Sequence, residues 1–170
     1  MGRLSEEIGG GPVGLDACAF IFYLEENPRF LPLLDPVFTA VAEGRLEGAT
    51  SALTLLETLV GPYRQSDEIL AQRYETLLLT TRGLKLVGLS PKILKAAAHL
   101  RAVTRIKTPD AIQIASAVAA GCSSFVTNDR RLPSLPGLKI LNLSDYLPTG
   151  SSVHEKRART YGRARAMGRR

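Results

Sequence analysis

Residues 108–129 read TPDAIQIASAVAAGCSSFVTND. This stretch predicts a helix followed by a strand, with one carboxylate at the start of the helix and another just after the strand. Thr108 is the predicted N-cap, Pro109 suits the first helical position, and Gly121 ends the helix. Because ligands of open α/β sheets sit at the C-terminal ends of strands, Asp110 and Asp129 are candidate site residues. The alternative, that Asp110 only caps a helix and Asp129 only starts a turn, stays open from this stretch alone.

Predicted strands and helices alternate along the rest of the chain. Hydrophobic periodicity and turn residues predict strands at 12–15, 46–50, 84–87, 124–127 and 139–142, and further helices at 17–26, 33–43, 51–60, 67–80 and 90–103. The predicted end of the helix 51–60 is Gly61-Pro62. Such alternation requires a parallel sheet with right-handed crossovers and helices on both of its faces.

Charge and composition limit the possible classes of protein. The chain has 170 residues and a net charge of +6, and the excess lies within residues 151–170, which carry seven Lys or Arg and one Glu. The first 150 residues are neutral, so affinity for a nucleic acid must come from local patches, a metal or the tail. No apolar run is long enough for a transmembrane helix, and the N-terminus lacks a signal-peptide layout. Two cysteines, Cys18 and Cys122, indicate buried, reduced thiols in a cytoplasmic protein.

Four carboxylates are placed to meet at one edge of the predicted sheet. Asp16 follows the first strand, and Asp110 and Asp129 flank the helix and strand described above. Glu57 comes from the helix after the second strand, although a solvent-facing glutamate is the simpler alternative for it. Carboxylates without a histidine or cysteine pair favour Mg²⁺ or Mn²⁺ over zinc. Such ions activate water and stabilise a leaving oxygen, which is the chemistry of phosphodiester hydrolysis.

The same residues resemble a known family. Asp16, the 51–57 segment with Glu57, the TPDAI motif at 108–112 and the VTND motif at 126–129 are similar to the PIN domain, and within it to the VapC-type toxins of toxin–antitoxin pairs. The resemblance covers residues 12–147. It implies a three-layer α/β/α sandwich with a parallel sheet of about five strands, and a Mg²⁺-dependent (or Mn²⁺-dependent) ribonuclease that is usually a homodimer restrained by a cognate antitoxin.

The resemblance also implies roles for individual residues. Asp16, Glu57, Asp110 and Asp129 become the catalytic, metal-binding acids, and Thr127 becomes a supporting hydroxyl that orients a ligand or water. One departure is that Ala17 and Cys18 follow the first acid, where family members often carry hydroxyl or amide side chains. Cys18 itself is predicted to belong to the core rather than to bind metal.

The sequence and the resemblance together predict two alternative functions and a division of the chain into three segments. The first function is a toxin endoribonuclease, and the alternative is a PIN-like module that binds RNA or protein without cutting it. The predicted layout is a flexible N-terminal extension at 1–11, the PIN-like nuclease domain at 12–147 and a basic, disordered tail at 148–170. The tail either binds RNA phosphates or has no function.

Overall fold

The computed structural model describes residues 3–148, which form a five-stranded parallel sheet between two layers of helices. The strands are β1 Val13–Leu15, β2 Gly48–Ser51, β3 Leu84–Val87, β4 Ser124–Thr127 and β5 Lys139–Asn142. The helices are α1 Arg3–Ile8, α2 Ala17–Leu24, α3 Leu31–Ala42, α4 Leu53–Gln65, α5 Glu68–Thr80, α6 Pro91–Val103 and α7 Thr108–Ala119, and a 3₁₀ helix spans Leu143–Tyr146. The predicted three-layer α/β/α class is confirmed.

Strand order places the candidate site at the centre of the sheet. The order is β3-β2-β1-β4-β5, and every pairing is parallel. From β1 the chain moves outward through β2 to β3, and it then returns to the other side of β1 as β4. The connections therefore run in opposite directions from β1 and β4, and such a switch point is where open α/β sheets form a ligand crevice. Leu15 pairs with Val126, so the residues that follow β1 and β4 share this edge.

The two faces of the sheet bury separate apolar clusters. Leu15 and Val126 pack with α2, α3 and α5, whereas Phe125 points to the other face and packs with α6 and α7. Gly14 allows this packing, because a Cβ there would lie 2.6 Å from the Phe125 ring and 2.8 Å from Ala117 Cβ.

Some predicted helix boundaries were wrong. Helix α7 begins at Thr108 with Lys107 as its N-cap, because the Lys107 carbonyl already accepts from Ala111 N at 3.0 Å. Helix α4 does not end at Gly61-Pro62 but continues to Gln65, and Ser66 ends it in a left-handed conformation with φ of 55°. Packing of α4 against α5 outweighs the hydrogen bond that Pro62 cannot make.

The N-terminal segment differs from the prediction. Residues 3–8 of the predicted flexible extension form α1, with Leu4 and Ile8 buried against the core. The flexible assignment was wrong for these residues, because their apolar partners come from distant parts of the chain. The predicted tail lies outside the described residues, apart from Pro148. Within residues 3–148 no helix has the length and apolarity that crossing a membrane requires.

Candidate active site

Asp16 lies at the centre of the candidate site, directly after β1. One of its carboxylate oxygens accepts a hydrogen bond from Ala17 N at 2.8 Å, so Asp16 also caps α2. The other oxygen accepts from Thr127 Oγ1 at 2.7 Å. The same hydroxyl oxygen accepts from Asp129 N at 3.1 Å. Thr127 therefore ties the end of β4 to Asp16 and fixes the loop that carries Asp129.

Cys18 lies next to this carboxylate and not in the apolar core. It is half-buried, and its Sγ lies 3.7 Å from Asp16 Oδ2 in donor geometry. Burial, together with the negative charge of Asp16, raises the pKa of the Cys18 thiol well above its usual range. The protonated thiol therefore donates to Asp16, in the segment where the sequence lacks a hydroxyl. Cys122 is buried as predicted, and burial raises its pKa to about 11.

Glu57 faces the site through a buried chain of polar side chains. Gln113 Nε2 donates to Glu57 Oε2 at 2.8 Å and to Thr54 Oγ1 at 2.8 Å. Thr54 Oγ1 shares a hydrogen bond of 2.7 Å with Thr50 Oγ1, which donates to Leu15 O at 2.7 Å. Thr50, Thr54 and Gln113 are each at most 2% exposed. The chain of hydrogen bonds thus runs from the residue before Asp16 to the carboxylate of Glu57, and the solvent-facing alternative for Glu57 is wrong.

Asp110 and Asp129 lie at the same edge but in different environments. Asp110 is half-buried in the first turn of α7. The Asp129 side chain is 21% exposed and forms a bidentate ion pair with Arg131, with Nε–Oδ1 at 2.8 Å and Nη2–Oδ2 at 2.5 Å. Arg131 is thus the cationic partner of Asp129.

The pKa shifts separate the four acids into two groups. Burial raises the pKa of Asp16, Glu57 and Asp110, and repulsion between these carboxylates adds to the increase. For Asp110 the repulsion comes from Asp129. Asp129 itself is different, because its hydrogen bonds from Arg131 lower its pKa. Three of the acids therefore carry unfavourable desolvation that a cation would offset.

The carboxylate oxygens of the four acids are the type of ligand that a hard cation prefers, but the side chains are not arranged around one metal position. Within residues 3–148 no three His, Cys, Asp or Glu side chains are placed to hold one ion. Arg131 forms an ion pair with the carboxylate of Asp129, and Gln113 donates a hydrogen bond to one carboxylate oxygen of Glu57. Nevertheless, the charges of these carboxylates act on one another at this edge of the sheet, and burial disfavours the charged form of three of them. Coordination of an ion by Asp129 would therefore compete with its ion pair to Arg131.

Sequence reasoning missed Gln113 and Arg131. Gln113 interrupts an apolar run of α7, between Ile112 and Ile114, and such a residue in a buried helix indicates a polar partner. Arg131 stands two residues after Asp129, and this spacing by itself predicts no contact. Both roles depend on where the loops and helices meet in space.

Comparison with known proteins identifies the family of this fold. The family model described as the PIN domain matches residues 14–138. The chain therefore belongs to the PIN domain family, as the motifs predicted. No curated protein sequence matches the chain.

Solved structures show the same fold at low identity. DNA-bound VapBC from Salmonella typhimurium matches with a TM-score of 0.60 and 18% identity, covering 78% of this chain and 98% of that chain. VapBC2 from Rickettsia felis, bound to a DNA fragment from its promoter, gives 0.59 and 18%, with 77% and 98% covered. A toxin–antitoxin complex from Klebsiella pneumoniae gives 0.55 and 19%, with 75% and 94% covered.

Proposed function

We propose that this PIN domain is a Mg²⁺- or Mn²⁺-dependent endoribonuclease and the VapC-type toxin of a type II toxin–antitoxin pair. The observation that carries the proposal is the set of desolvated carboxylates at the sheet switch point, held in place by Thr127 and Gln113. The alternative is a module that binds RNA or protein without cutting it. The ion pair of Asp129 with Arg131 is the observation that favours this alternative, because it occupies one of the four acids.

Asp16, Glu57, Asp110 and Asp129 would hold the ion. When bound, it supplies an activated water and charge stabilisation for a phosphodiester. Thr127, Cys18 and the Ala17 amide orient Asp16 through their hydrogen bonds. Gln113 orients Glu57 and stabilises its charged form. Arg131 neutralises Asp129 until a stronger cation competes for it.

The proposed partners are RNA, a cognate antitoxin and a second copy of the chain. The antitoxin is supported by the solved VapBC complexes that share the fold. The homodimer is supported by Leu56, Val60 and Tyr63, which lie exposed on α4 beside Glu57. We propose that the protein acts in the cytoplasm, which agrees with the free state of Cys18 and Cys122.

The decisive experiment removes one carboxylate at a time. Asp110→Asn and Asp129→Asn are each expected to abolish Mg²⁺-dependent RNA cleavage without unfolding the chain, because an amide binds a hard cation poorly. Asp145→Asn is the matched control, since Asp145 is exposed and pairs with Arg130 outside the site. In cells, growth arrest on expression should be relieved by Asp16→Asn. Full cleavage in excess EDTA, or wild-type rates in both site variants, would contradict the metal-dependent mechanism. A wild type that binds RNA in the presence of Mg²⁺ but does not cleave it would support the non-cutting alternative.

A further inference from the structure

The neutral total charge of residues 3–148 conceals two oppositely charged segments. Residues 3–75 contain five basic and twelve acidic residues, whereas residues 76–109 contain seven basic and no acidic residues. A polyanion is therefore repelled by the first segment and attracted by the second. The second segment runs through β3 and α6 and leads directly into Asp110.

Three of these cations lie together where α6 turns into α7. We call Arg101, Arg105 and Lys107 the α6–α7 corner; all three are exposed. Arg101 Nε donates to Ile106 O at 3.3 Å, which holds its guanidinium against the loop that carries the other two. None of the three forms an ion pair with a carboxylate among the described residues.

The corner adjoins the candidate site. Lys107 is the N-cap of α7, and its positive charge acts on the carboxylates of both Asp110 and Asp129. Asp110 lies three residues further along the same chain segment. A phosphate bound at Lys107 would therefore be a close neighbour of the acids that are proposed to cut it.

Two other cations of the same segment have a different environment. Arg82 and Lys85 line a cavity at the opposite edge of the sheet, together with Glu43 and Glu47. Their charges are partly offset there, and the cavity lies away from the four acids. They provide a control of equal charge from the same stretch of sequence.

We propose that the α6–α7 corner binds the phosphates of a single-stranded RNA and directs the strand to the acids. The inference rests on the proposed ribonuclease function and assigns the side from which its substrate approaches. The acids alone repel phosphate, so a substrate needs adjacent cations that are not already paired. In the described part of the chain, the corner combines such cations with direct proximity to Asp110.

The test compares two double variants of the full chain. Binding of a labelled single-stranded oligoribonucleotide is measured across a salt series, with Ca²⁺ replacing Mg²⁺ to block cleavage. Each lost contact with a single-strand phosphate should make the slope of log affinity against log salt shallower by about 0.7. R105Q/K107Q should thus make this slope shallower by about 1.4, because two phosphate contacts are lost. R82Q/K85Q should leave the slope unchanged. Cleavage positions should stay the same in both variants, because phosphate contacts do not read bases.

The outcomes separate this inference from the proposed function. Circular dichroism and melting temperature verify that both variants are folded. If the wild type binds RNA and the corner variant keeps the wild-type slope, or if both variants lose slope equally, the corner inference is overturned while the ribonuclease proposal stands. A wild type that neither binds nor cuts RNA contradicts the ribonuclease proposal itself.

Discussion

Gln113 links Glu57 to the rest of the site through two hydrogen bonds from one amide. Gln113→Leu keeps the size of the side chain but removes both donors. Residues that orient a metal ligand typically change metal affinity by about 10–100-fold when they are lost. We therefore expect the Mn²⁺ affinity, measured by electron paramagnetic resonance, to fall by a factor in this range, and the Mg²⁺ concentration for half-maximal cleavage to rise in parallel.

The matched control for this variant is Gln72→Leu, because Gln72 is an exposed glutamine on α5. A buried donor or acceptor left unpaired costs about 1–3 kcal/mol, so Gln113→Leu should also lower the free energy of unfolding. Loss of stability with unchanged Mn²⁺ affinity would show that Gln113 supports only the fold.

We propose that Arg131 competes with a metal ion for the carboxylate of Asp129. Arg131→Gln removes the bidentate ion pair and should let the pKa of Asp129 return toward its ordinary range. Because a metal ion then no longer has to displace a guanidinium from Asp129, we expect half-maximal Mn²⁺ binding at a lower metal concentration than in the wild type. Arg130→Gln is the control, because Arg130 pairs with Asp145 outside the site. Weaker metal binding in Arg131→Gln than in the control would contradict the competition.

The positions of three acids at one edge of the sheet could be predicted from the sequence, whereas their hydrogen-bond partners could not. Asp16 and Asp129 follow strands directly, and Asp110 opens a helix, so local pattern was enough to locate them. Gln113 and Glu57 are 56 residues apart in the sequence, so a local sequence pattern cannot predict the hydrogen bond between them. The same is true of the contact between Thr127 and Asp16, whose geometry needs β1 beside β4.

Helix α4 carries the proposed site residue Glu57 and an exposed apolar face. Leu56 is 62% exposed and Tyr63 is 58% exposed, and with Val60 they follow helical spacing on one side. L56E/V60E should weaken the proposed homodimer, because charge would be buried at the contact. The measurement is the mass in solution by light scattering over a range of concentrations. L79E is the control, since Leu79 is an equally exposed apolar residue on α5. A wild type that is monomeric throughout, or a variant that remains dimeric, would contradict this interface.

Elements with strong local signals were predicted closely, and elements stabilised by distant packing were not. Strands β3, β4 and β5 match their predicted bounds, because short apolar runs between turn residues leave few alternatives. Helix α1 was missed because burial of Leu4 and Ile8 requires α3 and the 3₁₀ helix. Pro62 indicated the end of α4 in the sequence, but packing on α5 extends the helix past it.

Across the whole molecule, the metal-free site should make stability depend on pH. The folded pKa values of Asp16, Glu57 and Asp110 are raised, first by burial and then by repulsion. The folded state therefore binds these protons more tightly than the unfolded chain does. Their contribution to stability is present below the ordinary carboxyl pKa of about 4 and is lost as pH rises through the raised values. Asp129 acts in the opposite direction, since its folded pKa is lowered and its contribution is lost as pH falls.

This asymmetry predicts different effects for two similar substitutions in EDTA. Asp110→Asn removes a desolvated charge, so its melting temperature should exceed that of the wild type by a margin that grows as pH rises from about 4 toward neutrality. Asp129→Asn removes the partner of Arg131 and should not raise the melting temperature, because this carboxylate is stabilised in the folded state.

Added Mg²⁺ should stabilise the wild type more than either variant, since a ligand of the folded state raises its stability by mass action. Melting curves of the three proteins over a pH series, with EDTA or with Mg²⁺, provide the measurement, and Asp145→Asn is the control. If Asp110→Asn lowers the metal-free melting temperature at every pH, Asp110 is not in an unfavourable environment, and the proposal that a bound cation would stabilise it is wrong.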